Sequence, residues 1–120
     1  MTFDLPLLII TIVLALVSSV SGIAKVSGNP RALSAPRSVG SPDGLSRLAG
    51  MLELLAGISI VLGLVLDFID LIVWGLVTIW IVMIGALFFH FKSGKIKSGF
   101  PAFAILTVTT IALTLAMAGK

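Results

Sequence analysis

With 120 residues, of which 58% are hydrophobic and 11% charged, the chain has too few polar groups to cover the large surface share that a short chain exposes. Soluble domains carry roughly 25% charged residues, so lipid is the solvent for most of these side chains, and the length allows one domain, residues 1–120. With no cysteine and a single histidine, His90, the chain excludes disulfides, thiolate metal sites, Cys-x-x-Cys redox centres and an intrachain bis-histidine haem, while its net charge of +3 sits in loops flanking apolar runs, a pattern of membrane insertion rather than of nucleic-acid binding.

A helical span needs about 20 mostly apolar residues. Four runs qualify: residues 5–24, 45–66, 69–91 and 100–118. They are continuous rather than alternating, and four strands cannot close a membrane barrel. The expected fold class is therefore all-α, an antiparallel bundle of four transmembrane helices.

The first span follows Asp4 and has no Lys or Arg before it, so it lacks the basic leader of a signal peptide and is read as a retained helix. Its small and polar face is Ala15, Ser18, Gly22 and Lys25. The connector 26–44 holds Pro30, Pro36 and Pro42 with Gly28, Gly40 and Gly44. We expect it to be irregular and to lie on the anionic inner leaflet, drawn there by its arginines; a cytoplasmic partner-binding loop is the alternative. Ser41-Pro42-Asp43 predicts an N-cap, a first-turn proline and a carboxylate suited to the helix dipole.

In the second span, Gly50, Glu53 and Gly57 fall at i, i+3 and i+7 and share one face. Gly22, Gly50, Gly57 and, in the third span, Ala86 are the expected helix-packing positions, since small residues let backbones approach closely. Asp67 and Asp70 mark a very short turn that makes the second and third spans antiparallel. Trp74 suits an aromatic belt, whereas Trp80 lies mid-span on another face and is read as packing. Met83, Ala86 and His90 form the third span's inward stripe. Pro101 opens the fourth span, where Thr107, Thr110 and Thr114 are expected to face the interior.

Charge sets the expected orientation. Lys25, Arg31, Arg37 and Arg47 flank the first connector, and Lys92, Lys95 and Lys97 the third; the other side holds Lys120 with Asp4, Asp67 and Asp70. The positive-inside rule then places both basic loops in the cytoplasm and both termini outside, in a multi-pass protein of the cell membrane.

Charged groups within spans are costly and mark functional or structural ties. Glu53 lies six residues past Arg47, which is about 9 Å along a helix axis. Lys25 and His90 end helices running inward and lean toward the membrane, while Glu53 leans toward the cytoplasm. Lys25, Glu53 and His90 are thus expected in one polar layer near the inner leaflet. Each has a plainer role beside that one: Lys25 snorkelling to phosphate, His90 as an interfacial side chain, Glu53 as a structural tie between helices.

The blocks Gly22-Ile23-Ala24-Lys25, Gly50-Met51-Leu52-Glu53 with Gly57, and Gly85-Ala86 with His90 occur in an order and spacing that resemble the DoxX-like family of small four-helix membrane proteins. The resemblance covers nearly the whole chain. Some members of that family are associated with thiosulfate:quinone oxidoreduction or with redox complexes, so it implies a redox or quinone association, with Lys25, Glu53 and His90 as a family-like polar cluster. The residues themselves supply no redox centre, and electron chemistry would need a diffusible quinone or a partner subunit.

The expected function is therefore a binding or accessory membrane subunit with the lipid bilayer, and a membrane protein or a second copy, as its partners. The alternative is a small proton-coupled transporter using Glu53. Length and the single embedded glutamate resemble the small multidrug resistance family, but that family carries its glutamate in the first helix and has a weaker charge bias. No nucleophile is paired with a base and an orienting acid, and one histidine with scattered carboxylates makes no recognisable metal site. The residues thus point away from an enzyme, a metal and a nucleic-acid partner.

Overall fold

The computed structural model describes residues 3–118, so Lys120 of the charge argument lies outside the described residues. Five α-helices run in chain order: α1 Leu5–Val26, α2 Pro30–Ser38, α3 Asp43–Val65, α4 Ile69–Lys92 and α5 Phe100–Ala118, with a 3₁₀ turn at Ile96–Gly99 before the last. Four of the helical segments are long and apolar enough to cross a membrane. Their outer faces carry Leu, Ile, Val and Phe in quantity, including Leu16, Val20, Val65 and Phe103, which no water-soluble monomer would expose so broadly. The chain is a multi-pass membrane protein built as a four-helix bundle.

The long helices pack in a ring: α1 on α3, α3 on α4, α4 on α5, with a lighter α5–α1 contact closing it. The short α3–α4 and α4–α5 connections make those neighbours antiparallel. Between α3 and α4 the chain reverses through Leu66–Phe68, where Asp67 adopts φ 54°. An aspartate tolerates this left-handed conformation better than a branched residue does. The core at mid-bundle is aliphatic, formed by Leu14, Ile60, Ile72, Leu76, Ile79 and their neighbours.

Small residues set the closest approaches. A Cβ on Gly22 would lie 2.5 Å from the Gly50 carbonyl oxygen, and one on Gly50 would lie 2.6 Å from Lys25 Cβ. At Gly57 it would meet the Ser19 hydroxyl and stand 3.0 Å from the Ala15 carbonyl. These contacts make α1–α3 the tightest seam of the bundle. On another side of α3, a Cβ on Gly75 would stand 2.7 Å from the Ala56 carbonyl and one on Gly63 2.9 Å from Ile72 N, so α3 and α4 are pressed together from mid-helix to their shared turn. Ala86 is half-buried.

Three expectations are corrected. The connector 26–44 is not irregular throughout: it contains α2, a nine-residue helix capped by Asn29, whose Oδ1 accepts from Arg31 N at 2.9 Å, with Pro30 in the first turn. Pro30, in the first turn, forfeits no hydrogen bond, whereas Pro36 lies inside the helix and gives up the bond an N–H there would make; Leu33, fully buried, anchors the helix to the bundle. The cap of α3 is Pro42 rather than Ser41, whose hydroxyl instead pairs with Ser46 Oγ at 3.0 Å. Finally, Thr107, Thr110 and Thr114 are exposed, and α5 buries Thr109, Ala112 and Ala116. Each threonine hydroxyl donates to the carbonyl four residues earlier, Phe103, Leu106 and Thr110 in turn. A hydroxyl satisfied by its own helix can face lipid, so it no longer marks an interior face.

Candidate binding cavity

The basic end of the bundle is held by polar ties outside the hydrocarbon core. Arg37 donates from Nε and Nη2 to the two carboxylate oxygens of Asp43 at 2.9 and 2.7 Å, clamping the end of α2 to the start of α3. That hydrogen bonding, with the opposite charge behind it, holds the Arg37 guanidinium above its ordinary pKa. Lys95 Nζ donates to the Ser38 carbonyl at 2.7 Å and ties α2 to the turn before α5. Gly28 has φ 77°, a left-handed conformation that favours glycine, and the Arg47 guanidinium packs where a Cβ would stand.

Beneath α2, every long helix contributes wall to one cavity of about 400 Å³. Volumes of about 300–1,000 Å³ are typical of small-molecule sites. The wall is mostly aliphatic and aromatic, with Val17, Leu48, Leu52, Ile81, Val82 and Phe89 among its members. Its roof is the inner face of α2, from Ala32 to Val39.

The ionisable groups of the cavity sit in two pairs, with the Ser41–Ser46 pair, Ser18 and Ser21 also in its wall. Lys25 Nζ donates to Glu53 Oε1 at 2.6 Å, an ion pair joining α1 to α3. Glu53 is 2% exposed and the Lys25 side chain 19%, so the carboxylate is the deeper partner. Gly22 and Gly50 make this bond geometrically available, because their missing side chains let the two backbones close on each other. His90 Nδ1 lies 2.6 Å from Ser98 Oγ. Ser98 also donates to the Lys95 carbonyl at 2.8 Å. With its hydroxyl proton on that carbonyl, Ser98 Oγ accepts from His90 Nδ1–H, and in the neutral ring Nε2 is then an acceptor.

The three residues singled out in the sequence thus line one cavity. Lys25 and Glu53 are bonded directly, whereas His90 is held by Ser98 and not by Glu53. Ser98 went unnoticed in the sequence because a serine in a Gly- and Lys-rich turn resembles any loop residue. The roof formed by α2 was missed as well, although Asn29-Pro30 carries a readable helix-start signal.

Chemically, the site offers a matched ion pair, one ring nitrogen acceptor and serine hydroxyls above an apolar chamber. Among the described residues, no three His, Asp or Glu side chains converge as metal ligands. No curated protein and no solved structure matches the chain. The family model of the DoxX-like family matches residues 9–117, nearly its whole length.

Proposed function

The chain belongs to the DoxX-like family, and from that premise we propose that it is a membrane-embedded binding subunit whose cavity accepts an uncharged quinone-like molecule. One observation carries this reading: the cavity is mostly apolar, and its single acid is already matched by its single lysine at 2.6 Å. A charged guest would disturb that balance, whereas a neutral ring with carbonyl or hydroxyl groups meets the serines and His90 and leaves it intact. The chain contributes shape, an apolar environment and hydrogen-bonding groups. Electron transfer to or from a quinone would be the work of a partner membrane protein, which defines an accessory role.

Proton-coupled transport by Glu53 fits less well. A carrier carboxylate has to exchange its proton with water, and Glu53 is both buried and paired with Lys25. We further propose that the chain sits in the cell membrane with its basic end, including α2, in the cytoplasm and both termini outside. The positive-inside bias of Lys25, Arg31, Arg37, Arg47, Lys92, Lys95 and Lys97 supports this orientation.

The binding reading is tested by purifying the protein in mild detergent and extracting it for mass spectrometry of bound lipids and quinones. We expect a quinone in stoichiometric amount, and its loss in a Leu52→Trp variant that fills the chamber. A preparation that carries bulk lipid only, identical in both variants, would reject the reading.

A further inference from the structure

We propose that this cavity is loaded sideways from the bilayer, through a gap between α3 and α4 in the leaflet at the basic end, so that its occupant is a molecule dissolved in lipid. The class of occupant rests on the function proposed above; the route rests on separate observations.

The helices α3 and α4 are tight at one end and open at the other. From mid-helix to their shared turn, Gly75 approaches the Ala56 carbonyl, the Ser59 hydroxyl donates to the Leu71 carbonyl at 2.6 Å, and Gly63 meets Ile72. Toward the basic end both helices line the cavity. Leu45, Leu48 and Leu52 of α3 succeed one another at three- and four-residue spacing on the face that carries Ala56 and Ser59 farther along. There they line the cavity, as Ile81, Val82 and Gly85 of α4 do from the facing side.

These residues belong to the chamber and to the outer surface at once. Leu48 is 55% exposed and Ile81 of α4 is 59% exposed, yet both line the cavity. Gly85 lies one turn beyond Ile81, also lines the cavity, and a Cβ placed on it meets nothing within 4 Å. A glycine beside open space is no packing device. It leaves a notch in the wall, at a depth where the surrounding exposed side chains are aliphatic.

The aqueous end is closed by comparison. α2 roofs it with Leu33 and Val39 buried, and the Arg37–Asp43 and Lys95–Ser38 ties fasten that roof to α3 and to the turn before α5. A guest from water would have to break these ties and pass basic side chains. A guest from the bilayer meets only apolar side chains at the α3–α4 gap, then polar groups inside. The route therefore selects lipid-soluble, uncharged molecules before any hydrogen bond does.

The route can be tested without knowing the ligand. The chain has no cysteine, so Ala102→Cys places a single nitroxide on the far cavity wall of protein in lipid nanodiscs. Collisions of this label with oxygen, which partitions into lipid, and with a water-soluble nickel chelate then report where the cavity opens. We expect strong oxygen relaxation and weak nickel relaxation, with the oxygen effect falling severalfold when Gly85→Trp plugs the notch. Leu48→Trp, from the opposite side of the gap, should act alike and serves if Gly85→Trp fails to fold. Strong nickel relaxation would overturn the proposal in favour of entry past α2. Oxygen relaxation unchanged by either plug would overturn it in favour of another gap. Failure of the two ideas is separable: bound quinone with a nickel-accessible label rejects the route alone, and a lipid-accessible label with no bound quinone rejects the binding reading alone.

Discussion

At the scale of single residues, the Lys25–Glu53 pair is unequal, and the inequality predicts how it fails. Glu53 is almost fully enclosed while Lys25 keeps a path to the surface. Lys25→Met leaves a buried carboxylate with no counter-charge, whereas Glu53→Gln leaves an ammonium that can turn outward. The lysine substitution is therefore the more damaging of the two. Its cost should approach, without reaching, the roughly 3–5 kcal/mol of breaking a fully buried pair. Combined, the two changes should cost less than their sum, because each removes the same bond. Equilibrium unfolding of the four proteins in mild detergent measures both points; additive losses, or a milder lysine variant, would mean that the bond contributes little. The sequence pointed to these two residues through intramembrane charge alone. It could not choose between Lys25 and His90 as partner of Glu53, because that choice turns on the Ser98 contact across a turn.

At the scale of elements, the α1–α3 seam is set by glycines, and Gly57 is its most direct test. Its missing side chain leaves room for the Ser19 hydroxyl and the Ala15 carbonyl. Gly57→Leu must push backbone apart as well as a hydroxyl aside. Overpacking of this kind costs about 1–3 kcal/mol, and in a membrane no water-driven term compensates for lost helix contact. We expect a lower thermal midpoint in detergent and a weakened Lys25–Glu53 bond, since the pair depends on the same close approach; unaltered stability would place Gly57 away from the seam. The glycines and Glu53 were legible as one face because a helix repeats every 3.6 residues. The threonines of α5 misled by the same rule, since periodicity groups residues on a face without saying whether that face points inward. α2 was hidden for a different reason. It is short, polar and rich in proline, and its existence depends on Leu33 finding a place under the bundle end.

At the scale of the whole molecule, the distribution of charge predicts the way in which the bundle is inserted. Reporter fusions at Ser98 and at Lys120 should give opposite localisation, with the Ser98 fusion cytoplasmic. The reverse pair would invert the leaflet assigned to the cavity without altering its geometry, whereas equal signals would deny that α5 crosses the membrane and overturn the assignment of depth. By itself the sequence determined the solvent, the number of spans, their antiparallel order and the polar face of α1, α3 and α4. These follow from hydropathy, connector length and helical period, all of which act along the chain. Only the tertiary structure decided which face of α5 is buried, that His90 turns to Ser98, and that the four long helices enclose a chamber at the basic end roofed by α2. These depend on how side chains from distant segments fill or fail to fill the space between helices, and no local pattern records a space that remains empty.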